Sequence, residues 1–270
     1  DMLDECVRNV DAVVHCAGAV RANSQADYFK ANVDITKRLA ESVLRANPNL
    51  KRFIFISSQA ALGPSKSEKP KTLDEQPAPV SDYGLSKLEA ENEIKRLFAP
   101  NPAYTILRPA SVYGPRDKDI FIFFALVHRH LAPKPLKKRK VQLVFVKDIA
   151  KAVALSLDSP KSAGKTYFLA DQKAYDWGEI AQIIAKNAKK FTVPIPLPDL
   201  VFHLAGWTSD FWAKISKKPA VLNNQKVKEM LQMYWIGDNL PAKTDLNLPF
   251  VSLEKGSEIT YNWYINNRYL

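Results

Sequence analysis

The sequence predicts an α/β fold. Short apolar runs with the length of buried strands alternate with longer runs of helical period. The chain has 270 residues, which suits one large α/β domain or two small ones. An apolar content of 46 % is ample for a core.

Taken in order, residues 1–10 read as the end of a helix and 11–17 as an apolar strand closing on His15-Cys16-Ala17-Gly18. Residues 28–47 read as an amphipathic helix, because Val33, Thr36, Ala40, Val43 and Leu44 follow a helical period. Residues 53–56 are Phe- and Ile-rich, as a buried strand is, and Ser57 and Ser58 stand at its end. The polar stretch 62–80, with Pro64, Pro70, Pro77 and Pro79, reads as a surface loop. Ser81 or Asp82 then caps a helix whose stripe Ala90, Ile94, Leu97 and Phe98 packs on the sheet. Strands are expected at 104–107, 141–146 and 165–170. Helices are expected from Asp148, as cap, through Leu157 and over 177–189.

The stretch 57–87 carries the chemistry. Tyr83 and Lys87 are four residues apart and share a helix face, with the serine hydroxyls at the preceding strand end. A phenol has an ordinary pKa of about 10, too high for a good base near neutral pH. An ammonium beside it favours the phenolate and lowers that value. The phenol can then exchange a proton with a substrate hydroxyl or carbonyl, while a serine hydroxyl binds the same oxygen. Ser58 is the expected holder of that oxygen and Ser57 the alternative. The same spacing also describes an exposed pair on an ordinary helix.

The order of motifs narrows the choice. His15-Cys16-Ala17-Gly18, Ser57-Ser58, Tyr83-x-x-x-Lys87 and Leu107-Arg108-Pro109-Ala110-Ser111-Val112-Tyr113-Gly114-Pro115-Arg116-Asp117 follow one another along the chain. This series resembles the extended short-chain dehydrogenase/reductase family, which includes NAD(P)-dependent sugar-nucleotide epimerases and dehydratases and 3β-hydroxysteroid dehydrogenases. The resemblance implies a Rossmann-type doubly wound parallel sheet with a smaller interleaved C-terminal substrate lobe. It divides the chain into an incomplete nucleotide-binding domain, 1–115 plus parts of 140–175, and a substrate lobe, 116–139 and 176–270.

By the same resemblance, Ser58, Tyr83 and Lys87 are catalytic, with Lys87 lowering the Tyr83 pKa and holding the nicotinamide ribose. NAD or NADP would meet His15, Ala17, Gly18, Asn32, Ser57, Tyr83, Lys87, Pro109, Ala110 and Ser111. Substrate would meet Ser58, Gln59, Tyr113 and Arg116. For His15 a packed histidine at a strand end is the competing reading, and for Asn32 a plain polar helix residue. No metal is required. The family's Gly-x-x-Gly-x-x-Gly turn, which brings free N–H groups to a pyrophosphate, is not found among the nine glycines. The expectation is that roughly the first three strands and two helices of the fold are missing from this sequence.

The expected activity is hydride transfer between nicotinamide and an alcohol or ketone, with a bulky apolar, sterol-like alcohol favoured. The alternatives are a sugar-nucleotide epimerase or dehydratase, and a non-catalytic family member serving as a subunit of a larger assembly. Net charge is +11, yet no nucleic-acid module is present. The stretch 199–218 is rich in apolar and aromatic residues and has a basic end. A buried lobe helix, a lid over an apolar substrate and a helix on a membrane surface all fit it. A small-molecule substrate, peripheral membrane contact through 199–218 and a homodimer are the expected partners. The expected location is cytoplasmic, peripheral at a membrane. Two cysteines give no disulfide framework, and Cys16 is expected to be a buried free thiol.

Overall fold

A computed structural model describes residues 2–216 and 223–270. It opens with α1 (Met2–Val7) and β1 (Ala12–His15). A continuous helical run follows: α2 (Gln25–Phe29), a π-helical turn over Lys30–Asp34, and α3 (Ile35–Ala46). β2 (Arg52–Ile56) leads through a 3-10 turn, Gln59–Ala61, and the proline-containing loop to α4 (Asp82–Leu97). Then come β3 (Tyr104–Pro109), β4 (Ser111–Tyr113), α5 (Phe121–His128), β5 (Leu131–Pro135), β6 (Lys140–Val141) and β7 (Leu143–Phe145). α6 (Val146–Asp158), β8 (Lys165–Leu169), α7 (Trp177–Ala188) and β9 (Val193–Leu197) follow. The chain closes with α8 (Asp199–Ser216), α9 (Asn224–Met230), β10 (Tyr234–Trp235), α10 (Leu240–Asp245) and α11 (Leu253–Asn266).

The main sheet is parallel, in the order β1-β2-β3-β8. Its central strands are covered on both faces, which is why β2 is continuously apolar after Arg52 rather than alternating. Phe53 and Phe55 point to one side, where they pack with Val43 of α3 and Ile94 of α4. Ile54 points to the other, with Leu107, Ala152 of α6, Leu169 and Ala242 of α10. A third cluster gathers Phe124 of α5, Ile180 of α7 and Tyr264 of α11 around Tyr113 and Phe145. Ser81 caps α4 by accepting the Gly84 N–H at 3.0 Å, as the sequence predicts.

Three expectations are corrected. Cys16 is exposed, because the last rung of β1 is His15 and the chain leaves the sheet there. The strand expected over 141–146 is split at Gln142, whose side chain donates to the Asp171 carbonyl and accepts the Gly237 N–H at 2.8 Å. Asp148 is not the cap of α6: Phe145 holds that position, and the Asp148 carboxylate accepts the Val251 N–H at 2.8 Å. The basic end expected at Lys217 and Lys218 lies outside the described residues.

Candidate active site

The site lies where β2 ends against the start of α4. Ser58 is extended and caps the 3-10 turn, its Oγ accepting the Ala60 N–H at 3.1 Å. Gly84 lets α4 approach this turn, since a Cβ there would lie 2.5 Å from the Ala60 carbonyl oxygen. That contact brings the Ser58 hydroxyl into hydrogen-bonding reach of Tyr83. Tyr83 is half-buried, with its ring 6.2 Å from that of Tyr28. Burial pushes its phenol up to about 12 against the lowering effect of the Ser58 hydrogen bond, and the charges of Glu229 and Asp119 add to the rise.

Lys87 lies one turn further along α4 and is buried. Its Nζ donates to the Ile56 carbonyl at 2.7 Å and sits 4.2 Å from the centre of the Phe55 ring. Burial pulls its ammonium down to about 8, opposed by the charge of Glu91. The expectation that Lys87 lowers the Tyr83 pKa is therefore corrected: the ammonium is engaged with the strand end, and burial dominates the phenol. A neutral Tyr83 is poised to give a proton rather than take one near neutral pH.

Beneath the pair lies a buried polar frame. Glu91, four residues after Lys87, accepts from Arg108 Nε at 2.9 Å and from Nη2 at 2.6 Å. It also accepts the Ser57 hydroxyl at 2.5 Å. Glu91 and Arg108 are both buried, so their bidentate geometry must offset a large desolvation cost. The Ser57 hydroxyl is thereby turned into the core, which corrects its assignment as an alternative holder of the reacting oxygen.

A second set of contacts fixes the loop after β1. Asn32 donates to the Ala19 carbonyl at 3.0 Å and to Ser86 Oγ at 2.9 Å, and it accepts the Ala19 N–H at 2.7 Å. Ser86 in turn donates to the Tyr83 carbonyl at 2.8 Å. Thr36 gives its one proton to the Asn32 carbonyl at 2.6 Å, so His15 Nε2, 2.8 Å away, must donate to Thr36. Burial, reinforced by Lys87, brings the His15 pKa down to about 4 and keeps the ring neutral. Ala17 and Gly18 are exposed on the same loop, and a Cβ on Gly18 would lie 2.7 Å from Asn32 Oδ1 and 4.0 Å from Lys87 Nζ.

The remaining candidates separate. Pro109 ends β3, and the Ala110 N–H is committed to the Leu169 carbonyl at 2.9 Å, so it is not free for a ligand. Ser111 is exposed at the start of β4. Gln59 is buried in the 3-10 turn. Tyr113 is corrected as a substrate contact, because its ring is buried beneath α11, where only a glycine at 256 leaves room for its hydroxyl. Arg116 is exposed in a left-handed turn with φ of 71°. Among the described residues no cluster of three or more His, Cys, Asp or Glu could hold a metal.

Sequence reasoning missed Glu91, Arg108, Ser86 and Thr36. A signal existed for the first two: a Glu beside Ala90 in the apolar stripe of α4, and an Arg between Leu107 and Pro109 in a buried strand. Charges at such positions require one another.

Known proteins resemble this chain over most of its length. It is 26 % identical over 263 residues to the "Ceramide reductase" of Caulobacter vibrioides, covering 97 % of this chain and 76 % of that protein. It is 29 % identical over 211 residues to the "UDP-glucose 4-epimerase" of Vibrio cholerae, covering 74 % of this chain and 64 % of that protein. The solved UDP-glucose 4-epimerase of Thermotoga maritima superposes with a TM-score of 0.78 at 20 % identity, over 99 % of this chain and 82 % of its own, and so shares the fold. Residues 1–170 match the family described as NAD dependent epimerase/dehydratase. With the parallel doubly wound sheet and this match over more than half its length, the chain belongs to the NAD dependent epimerase/dehydratase family.

Proposed function

We propose that the chain transfers hydride between NAD and a carbon bearing an alcohol or ketone, on a bulky apolar substrate. The observation that carries the reading is the convergence of Ser58, Tyr83 and Lys87 on one strand end. The residues fit the nicotinamide end of the cofactor. Lys87 donates to the Ile56 carbonyl, and an ammonium carries three donors, so it can also serve a ribose. The exposed backbone at Ala17 and Gly18, close to Lys87, suits close approach of a ligand. When bound, NAD supplies or accepts the hydride.

The chain's own residues handle the proton. In reduction, the Ser58 hydroxyl donates to the substrate carbonyl oxygen and Tyr83 gives its proton to that oxygen as negative charge develops. In oxidation the same phenolate oxygen takes the proton back. Lys87, with a pKa drawn toward 8, can exchange protons close to neutral pH and so help reset the tyrosine. Support for an apolar substrate comes from the likeness to the ceramide reductase, which spans 97 % of this chain.

Tyr83→Phe should lower turnover by about 10²–10⁴-fold while leaving the circular dichroism spectrum unchanged. Unchanged turnover would defeat the mechanism. A second reading, redox-neutral epimerisation of a sugar nucleotide, draws on the 29 % identity to the Vibrio cholerae epimerase. It uses the same proton device. Product analysis separates the two: accumulation of NADH or consumption of NADH supports the oxidoreductase, and isomerised product with no net change in NADH supports the epimerase. The proposal extends to a homodimer and to a cytoplasmic protein peripheral to a membrane through 199–218.

A further inference from the structure

The outward face of α8 is apolar where a surface helix is ordinarily polar. Leu200, Leu204, Trp207 and Ile215 recur at helical spacing and are 54–65 % exposed. On the opposite side Phe202 packs edge-on against Trp177, with ring centres 5.6 Å apart, and a Cβ on Gly206 would lie 2.8 Å from Val227 of α9. The inner face is therefore already used, and the exposed stripe cannot be the side meant for the core.

The acids of this helix are also accounted for. Asp199 is paired with Arg139 at 2.6 Å and Lys137 at 3.0 Å. Asp210 accepts the Asn224 N–H at 3.1 Å. The outward stripe thus offers aliphatic side chains and Trp207 without a carboxylate among them, and Lys137 and Lys138 are exposed beside its N-terminal end. The whole chain carries +11. Tryptophan flanked by lysine suits the headgroup region of a bilayer, and positive charge complements anionic lipid. Among the described residues no helix is long and apolar enough to cross a membrane, which leaves the interface plane. A second copy of the chain is a poorer match. It carries the same +11 net charge and would bring like-charged lysines to the contact.

We propose that α8 docks the protein on an anionic lipid surface, its Leu200–Leu204–Trp207–Ile215 stripe seated among the headgroups. The far side of α8 meets α9, and α9 reaches the start of α4: Gln225 accepts the Asp82 N–H at 2.6 Å, and Ser81 donates to Glu229. The docked helix is therefore one element removed from Tyr83. The inference does not depend on the oxidoreductase reading, because it concerns a surface that can be measured without substrate.

The test is co-sedimentation of the full chain with vesicles of phosphatidylcholine alone and of phosphatidylcholine mixed with phosphatidylglycerol. The wild type should bind the mixed vesicles and bind the neutral ones more weakly. L204E/W207E, with an unchanged melting curve, should bind the mixed vesicles at least about tenfold more weakly. Failure of the folded wild type to bind either vesicle overturns the proposal, as does equal binding by the variant. Sedimentation velocity without lipid supplies the remaining arm. A wild-type dimer that the variant dissolves would assign the stripe to a second copy and overturn docking on lipid.

Discussion

In α4 a carboxylate lies inside the protein, and in α8 tryptophans lie outside it. Each inverts the ordinary placement of its residue type, and the causes are opposite. Glu91 is held inside because Arg108 and Ser57 meet both its oxygens. Trp207 is left outside because Phe202 and Gly206 already fill the inner face of its helix. Burial thus follows the partners on offer at a position more closely than the polarity of the residue. It also follows that the two helices should respond to substitution in opposite ways.

The strongest break is Glu91→Gln. It leaves the buried Arg108 guanidinium without a counter-charge and should cost about 3–5 kcal/mol, read as a large fall in denaturation midpoint. Glu91→Leu combined with Arg108→Met should recover much of that loss, and a double-mutant cycle measures the coupling. Full additivity of the two single changes would deny that they form one buried unit.

Next comes His15, whose folded pKa of about 4 lies below its ordinary 6.5. The unfolded chain takes up a proton first as pH falls. Stability is then complete above 6.5 and declines progressively between 6.5 and 4, by up to about 3 kcal/mol. His15→Gln should flatten that limb of the pH–melting curve relative to wild type. Gly84→Ala is smaller, about 1–3 kcal/mol, because the new Cβ must push the Ala60 carbonyl aside. It should lower turnover more than stability, since the same contact seats Ser58 beside Tyr83. The smallest effect belongs to α8: Leu204→Ser should shift stability by less than about 0.5 kcal/mol in solution, as checked by urea melts.

Much of this was legible in the sequence where the signal is local. The Phe- and Ile-rich run of β2, the Ser81 cap and the Tyr83–Lys87 spacing each depend on residues close in the chain. The fold class followed from their alternation and from the family resemblance. What escaped depends on distant partners. Tyr113 looked like a turn residue facing substrate, yet α11, far along the chain, supplies Gly256 to cover it. Gln142 interrupts a strand for the sake of Asp171 and Gly237. Lys87 sits in the expected place, but its direction is set by the Ile56 carbonyl and the Phe55 ring. Spacing locates a side chain on a face, and only the surroundings decide what charge it carries there.

The π-helical turn at Lys30–Asp34 limits how the chain can vary in length. It accommodates one residue more than a regular helix would over the same path. Upstream of that surplus Asn32 grips Ala19, and downstream Thr36 meets His15. Deleting Val33 would remove that surplus and let the run close as an ordinary helix over the same path, so Asn32 would keep its loop and Thr36 its histidine. A deletion within α3 has no surplus to absorb it and would rotate the residues on its two sides against each other by about 100°. The turn is therefore where this helical run can lose a residue without parting the contacts that hold the site.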